Sequence, residues 1–423
     1  MDSGRRLHSD EEEATAMSLP ERPQLRKTIA AMPDPSNEEI IWLYDQYRIS
    51  RVQMAVSRHA LLILQLFDGT RDLRDIQVEL MRYTGGQLFP SKVLEQLVAK
   101  LDEAMFLDSE AVQKRLQEFL DNPIREPSCL DSYGSTAEDV SHLLLNQFQD
   151  EKGAGLPSRS RSRGRLRGAL IPHIDYHRGG PVYTHGFKEL VEESDATVFV
   201  IVGTSHYSGS RYILTRKDFK TPLGVAKTNK EFVNRLATYY GNAVFEDEIA
   251  HMPEHSIELE VVFLQYLLDG HRDFTIVPLL VGSFHDCIAA GRDPREQSDI
   301  YLMIQALRRA EAECPERVFY ISSGDLAHIG PKFGDPLPVS ADQLERSRKQ
   351  DHRLLDRLVH ADRQGFCEVI FDEQDVRRIC GFPPTYTLLS VLEPKRGKLL
   401  SYDQYVEPSG FESVSFASVG FYA

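Results

Sequence analysis

The sequence predicts an α/β protein with a largely parallel sheet flanked by helices, preceded by a small winged-helix-like domain. Three apolar runs in the second half of the chain, TVFVIV, FTIVPLLV and VFYIS, are typical of strands with both faces covered by helices. Helical stretches alternate with these strands, as in a parallel sheet. The length of 423 residues is sufficient for two or three domains.

Composition excludes several classes of protein. Hydrophobic residues make up 41% of the chain and charged residues 27%, so the chain as a whole is not disordered. No apolar run reaches the roughly 18 residues that span a bilayer, and the polar, acidic N-terminus is not expected to act as a signal peptide, which needs an apolar stretch. The net charge of −15 argues against a nucleic-acid partner. Five cysteines without CxxC spacing indicate no disulfide framework, so we expect a cytoplasmic protein.

The N-terminal third is expected to hold a charged tail, residues 1–21, and a small domain, residues 22–122. Apolar periodicity and caps predict two strands followed by three helices, an order that suits a winged-helix-like module. The absence of a dense basic stripe favours a packed accessory domain over DNA binding. The predicted strands are 25–31 and 40–47, and the predicted helices are 58–67, 72–83 and 91–104.

Residues 123–165 have the composition of a linker, because Pro, Ser and Gly are frequent. One helix is predicted within them, at 136–149. At its end, arginines alternate with small residues. The favoured interpretation is a solvated tether that docks on the protein's own acidic surface, and the alternative is a nucleic-acid or membrane contact. These arginines are Arg159, Arg161, Arg163, Arg165 and Arg167.

The segment 166–423 carries the predicted α/β domain. The final stretch, SVSFASVGFYA, is expected to form a late edge or central strand. The other predicted strands are 167–172, 197–202, 211–214, 274–281 and 318–322, and the predicted helices are 181–193, 230–240, 256–268, 299–312 and 341–360.

Chemistry-bearing side chains follow several of these strands. Because ligands of open α/β sheets collect beyond the carboxyl ends of the strands, these residues predict a metal or acid–base site there. Imidazoles with a carboxylate or thiolate suit iron(II), copper or zinc, whereas magnesium and calcium prefer all-oxygen shells. The candidates are His173, Asp175 and His177 after the first strand, His206 after the second, Asp325 and His328 after the fifth, and His251, Glu254, His255 and Glu258 around the start of the helix at 256.

Cys380, in the segment RRICGFPP, has two readings. Arg377 and Arg378 could lower the pKa of its thiol and make it a thiolate ligand or redox group, or the side chain could be a buried small hydrophobe. A zincin site on His173 and His177 is set aside because that motif needs a helix and Pro172 follows a strand. Serine hydrolysis is disfavoured because no GxSxG elbow exists.

Seven blocks, in order, make the segment 166–423 resemble the Memo family: PHIDYHRGG, VGTSHYSG, TPLG, EHSIELE, IVPLLVG, SSGDLAH and ICGFPP. The family is similar in fold to the class III extradiol dioxygenases, which use a non-haem iron site. The resemblance implies a redox metal, iron(II) or copper, held by His173, His206 and Cys380. It places His328 in the same pocket, with Glu254, His255 and Glu258 near its wall. The catalytic candidates are then His328, Asp325, His255 and Glu258.

The N-terminal module, with LLILQLFDGTRDLRDIQVEL, resembles the PqqD-like winged-helix domains that bind peptides beside radical-SAM enzymes. Memo proteins of the AmmeMemoRadiSam system, as its protein B, carry such an extension. The resemblance implies a radical-SAM protein and an AMMECR-type protein as partners, a peptide at the N-terminal module, and an unidentified small-molecule substrate.

Two hypotheses of function follow. The first is a metal-dependent oxidoreductase with extradiol-like chemistry on a dihydroxy substrate and His328 as acid–base group. The second is a non-catalytic scaffold or peptide-binding protein with a vestigial metal site. A thiolate ligand weighs against ordinary dioxygenase chemistry, although Glu258 could supply a carboxylate instead.

Overall fold

The computed structural model describes residues 19–34, 36–158 and 165–423. The chain divides into two compact units, Met1–Glu118 and Phe119–Ala423. Each unit has its own hydrophobic core within these described ranges.

The first unit contains a small antiparallel sheet in the order β1-β2-β3, followed by helices. The predicted helices at 72–83 and 91–104 are confirmed, whereas the one at 58–67 is shorter and a third strand was not predicted. That strand, QMAVS, is only five residues long and carries no turn signature. The elements are β1 (Ile29–Asp34), β2 (Asn37–Asp45), β3 (Gln53–Ser57), α1 (Ala60–Leu64), α2 (Leu73–Tyr83), α3 (Ser91–Glu103) and α4 (Glu110–Asp121), within which the division between the units falls.

Local sequence explains the helices of this unit. Asp72 caps α2 by accepting the backbone N–H of Arg74 and Asp75, and Asp75 returns the contact in a capping box. In α3, Leu94, Val98 and Leu101 recur at helical spacing and are fully buried.

The second unit contains one 11-stranded sheet with helices on its faces. No helix in the described ranges is long and apolar enough to cross a membrane. Its strands are β4 (Ile124–Arg125), β5 (Leu166–Ile171), β6 (Val198–Thr204), β7 (Tyr212–Leu214), β8 (Asp218–Thr221), β9 (Gly224–Thr228), β10 (Thr275–Val281), β11 (Val318–Ser323), β12 (His328–Ile329), β13 (Arg396–Val406) and β14 (Ser413–Tyr422). Its helices are α5 (Ala137–Gln149), α6 (Tyr176–Glu193), α7 (Lys230–Tyr240), α8 (Ser256–Leu268), α9 (His285–Ala290), α10 (Ser298–Ala312), α11 (Ala341–Val359), α12 (Arg363–Asp372) and α13 (Phe382–Leu392).

The centre of this sheet is parallel, which confirms the predicted fold class. Its strand order is β12-β14-β5-β11-β6-β10-β9-β8-β4, and β5, β11, β6 and β10 run parallel. In register, Val200 of β6 lies between Tyr320 of β11 and Val277 of β10, all fully buried. The flank is antiparallel: β14 pairs with β5, β12 and β13, so the last strand is internal rather than an edge.

The expectation of a linker at 123–165 is wrong for residues 123–158. Arg125 of β4 pairs in register with Phe219 of β8 and is fully buried. The helix α5 buries Val140, Leu144 and Phe148 in the core. Composition rich in Pro, Ser and Gly does not reveal such tertiary packing. Of the alternating arginines, Arg159, Arg161 and Arg163 lie outside the described residues, and Arg167 forms an ion pair with Glu311.

The helix expected to start at Pro181 begins at Tyr176 instead. Asp175 caps it by accepting the N–H of His177 at 3.0 Å. Gly179 and Gly180 lie within this helix at close contacts. A side chain at position 179 would clash with Ile174, and one at position 180 would clash with Gln147. His177 therefore lies on a helix, but His173 precedes it, so the two do not form a zincin pair.

Candidate metal centre

Three neighbouring strands deliver candidate ligands to one edge of the sheet. His173, His206 and Asp325 each lie two residues beyond the end of β5, β6 and β11. Because these strands are parallel neighbours in the order β5-β11-β6, the three side chains meet at their carboxyl ends. His255 caps α8 and Cys380 directly precedes the cap of α13, which bring them to the same edge.

Three imidazoles converge there. The ring centroids of His173 and His206 are 5.0 Å apart, those of His173 and His255 are 5.3 Å apart, and those of His206 and His255 are 5.0 Å apart. One nitrogen from each ring lies within 4.8 Å of the others, a spacing that one metal ion can bridge. The predicted convergence of His173 and His206 is therefore present, and His255, expected near the wall, joins them.

A second group shares His173. His173, Asp325 and Cys380 place one ligand atom each within 4.8 Å of the others. Cys380 Sγ is 3.2 Å from His173 Nε2, and Asp325 Oδ2 is 3.8 Å from the same nitrogen. Among the described residues, His206 and Cys380 fall in different groups, so the implied trio of His173, His206 and Cys380 is not one of them.

Glu254 orients two of the rings. Its carboxylate accepts the Nδ1–H of His206 at 3.0 Å and lies 3.3 Å from His255 Nδ1. It also accepts the backbone N–H groups of His206, His255 and Ser256. Since a carboxylate only accepts hydrogen bonds, Nδ1 of His206 carries the proton and its Nε2 carries the lone pair that a metal needs.

His173 is held by backbone groups. Its Nδ1 lies 3.2 Å from the carbonyl oxygen of Ser323, which can only accept, so here too the lone pair is on Nε2. Asp325 Oδ1 accepts the backbone N–H of His173 at 2.9 Å and of Ile174 at 3.3 Å. The ring direction is therefore fixed before any ion binds.

The electrostatics favour neutral imidazole and a charged Glu254. Burial and the neighbouring His206 lower the pKa of His173 to about 3. Burial alone would raise the pKa of Glu254, but His206, His255 and the backbone donors outweigh it and hold that pKa well below its ordinary value. Burial raises the pKa of Asp325. A neutral imidazole is the form that ligates metals, so at neutral pH the His173 ring is in the protonation state that a metal ligand needs.

The thiol of Cys380 does not have the lowered pKa that its arginine neighbours indicated. Arg377 is directed to Asp351 and Glu373, and Arg378 to Asp335 at 2.7 Å. Burial, together with the nearby Asp325, raises the pKa of the Cys380 thiol well above its ordinary value. The local sequence shows that two arginines precede Cys380, but it does not show that their side chains are directed to other carboxylates.

We expect Cys380 of the metal-free protein to react slowly with iodoacetamide up to pH 9, because a raised pKa leaves little thiolate there. Mass spectrometry of quenched samples would give the rate, with Cys380→Ser as the blank. A rate that rises across pH 6–9, as for a free cysteine of pKa about 8.5, would contradict this expectation.

Two further predicted residues lie outside both groups. His328 Nδ1 is 3.0 Å from the carbonyl oxygen of Arg378 and 3.1 Å from that of Leu326. Glu258 is fully buried, and its oxygens accept from Arg125, Ser128 and the hydroxyl of Tyr133. The structure thus does not bring Glu258 to either candidate group, and Asp325 is the carboxylate in one of them.

Sequence reasoning missed two functional features of this site. It placed Glu254 near the wall without its role of orienting His206, although its position directly before His255 in EHSIELE was a usable signal. It did not single out Arg125, for which local sequence gives no signal.

Comparisons with known proteins place most of the chain in one family. Residues 131–420 match the family model described as Memo-like protein. A MEMO1 family protein of Aquifex aeolicus is 30% identical over 370 residues, covering 86% of this chain and 91% of that protein. One from Caldivirga maquilingensis is 32% identical, covering 62% and 85%, and one from Methanopyrus kandleri is 28% identical, covering 68% and 95%. The 370 residues aligned with the Aquifex protein exceed the length of Phe119–Ala423, so that likeness extends into the first unit.

Proposed function

The chain belongs to the Memo-like protein family, and from this premise we propose that it binds one iron or copper ion and acts as a metal-dependent oxidoreductase. The observation that carries the proposal is the convergence of three imidazoles whose Nδ1 atoms are already engaged by Glu254 or Ser323. Histidines held in this way by outer hydrogen bonds are typical of metal ligands.

The donor set fits these metals. Imidazole nitrogen suits iron, copper and zinc, and a thiol beside it favours the softer ions over magnesium or calcium. His173, His206 and His255 would hold the ion, and Asp325 and Cys380 form a second group of candidate ligands that shares His173. A bound iron or copper ion would supply electron-transfer chemistry. The ring of His328 would act as the acid–base group that exchanges a proton with a dihydroxy substrate.

The direct test is metal analysis of protein purified anaerobically without added metal. We expect close to one iron or copper ion per chain, and none in the double variant His173→Ala/His206→Ala. The matched control is His177→Ala/His360→Ala, which removes two exposed histidines and should keep the ion. Unchanged occupancy in the first double variant would refute the proposal of metal binding.

Catalysis is tested separately with catechol as the probe substrate. Dioxygen uptake that depends on the metal and on His328 supports the oxidoreductase. A protein that keeps its ion but consumes no dioxygen with catechols or other dihydroxy compounds supports the alternative of a scaffold with a vestigial site.

We also propose that the first unit recruits a peptide and a radical-SAM partner in the cytoplasm, alongside an AMMECR-type protein. What supports this is the resemblance of the module and its presence in the region aligned with the Aquifex protein. Removing residues 1–109 should abolish co-purification of the radical-SAM partner and leave the metal content unchanged, because the candidate ligands all lie in the second unit. Retained co-purification would count against the recruiting role.

A further inference from the structure

A buried arginine lies behind the metal centre. Arg125 ends β4, upstream of the residues 131–420 that match the family model, and its side chain is fully buried. Its Nε donates to the carbonyl oxygen of His251 at 3.0 Å, and its Nη2 donates to the carbonyl oxygen of Glu254. One guanidinium therefore donates hydrogen bonds to the backbone at both ends of the segment 251–254.

The guanidinium is itself held on its other sides. Its Nη1 forms an ion pair with Glu258 of α8, its Nη2 donates to Ser128 Oγ at 2.6 Å, and its carbon lies 5.2 Å from the centre of the Phe219 ring. Glu258 is in turn fixed by the backbone N–H of Ser128 at 2.8 Å. A planar fork with this many partners has one orientation.

The segment 251–254 ends in Glu254, which contacts two of the proposed ligands, His206 and His255. Glu254 accepts from His206 Nδ1 and from the backbone N–H of His255, and it lies 3.3 Å from His255 Nδ1, so its position affects both rings. We infer that Arg125 is a positioning residue of the metal centre, which fixes the backbone of His251 and Glu254 so that the Glu254 carboxylate holds the His206 and His255 rings in register. As far as the metal is concerned, the inference rests on the function proposed above.

An uncharged residue could not replace Arg125 in this role. Without its donors, two buried carbonyl groups lose their partners, and the segment relaxes to recover hydrogen bonds. Lysine would bring the charge but not the fixed fork that reaches two carbonyls at once.

The first test needs no metal. Nitrogen NMR of metal-free protein labelled at histidine reports which ring nitrogen carries the proton, with signals assigned through His206→Asn and His255→Asn. We expect a single Nδ1–H tautomer for both rings in the native protein. In Arg125→Met/Glu258→Met, which removes both charges and so keeps a packed core, we expect a mixture of tautomers.

The matched control is the buried pair of the first unit, Arg26 Nη2 and Asp45 Oδ2 at 2.9 Å. Arg26→Met/Asp45→Leu should leave both tautomers as in the native protein. A folded Arg125→Met/Glu258→Met variant with native tautomers would overturn the inference, whatever the protein does with metals.

The second test titrates the same proteins with Co²⁺, followed by its visible absorption. We expect binding about 10-fold weaker in Arg125→Met/Glu258→Met, at the lower end of the 10- to 100-fold losses seen for outer-shell partners, with a changed absorption band. Unchanged affinity in that variant would overturn the inference. Absence of Co²⁺ binding by the native protein would count against a divalent metal site between these rings, and the tautomers would still decide the role of Arg125.

Discussion

Replacing His173 by alanine is expected to weaken iron or copper binding by more than about 100-fold, a larger loss than outer-shell partners cause. His173 belongs to both candidate groups, since it shares one with His206 and His255 and the other with Asp325 and Cys380. No intact group of three remains among the described residues without it.

The comparison that makes this prediction specific uses His255→Ala and Cys380→Ala. Each removes a member of one group and leaves the other group complete. We therefore expect both to bind the ion more tightly than His173→Ala does, as measured by competition with a chelator of known affinity. Equal affinities for the three variants would show that the two groups do not share His173 as a ligand.

Replacing Arg125 by methionine is expected to destabilise the second unit by about 3–5 kcal/mol, because it leaves the fully buried Glu258 without its cation. The double variant Arg125→Met/Glu258→Met should recover only the part of that loss that comes from the unpaired charge. The carbonyl groups of His251 and Glu254 still lack their donors in it. Urea unfolding at pH 7 measures the stability of both variants. A single variant as stable as the native protein would contradict the ion pair.

The same pair predicts a pH dependence. Burial alone would raise the pKa of Glu258, but Arg125 and Tyr133 outweigh it and lower the pKa to about 2. A carboxyl whose pKa is lower in the folded state stabilises the fold above its unfolded value of about 4.3, and this contribution is lost as pH falls towards 2. The stability difference between the native protein and Arg125→Met should therefore be full at pH 7 and smaller at pH 3.

The sequence was most informative where chemistry follows strands. His173, His206 and Asp325 could be placed together because three apolar runs indicated parallel neighbours, and residues just beyond such strands share an edge. The third ring, His255, could be recognised from the sequence as a site residue but not as a member of the imidazole group. Its position depends on Glu254 and on the start of α8.

The errors share a physical cause, since each depends on tertiary contacts. The segment 123–158 has the composition of a linker, yet Arg125 is buried in an ion pair with Glu258. That partner lies more than a hundred residues away in sequence, so the local sequence does not reveal the contact. Similarly, the direction of Arg377 is set by Asp351 and Glu373, so its charge does not reach the Cys380 thiol.

The central claim is that one ion sits among imidazoles from three separate parts of the chain. The most direct measurement is anomalous diffraction at the iron or copper edge from crystals of metal-loaded protein. The account predicts one strong peak within about 2–2.3 Å of the Nε2 atoms of His173, His206 and His255, the range of metal–ligand bonds. A peak elsewhere, or a fully loaded crystal with no peak between these rings, would contradict it.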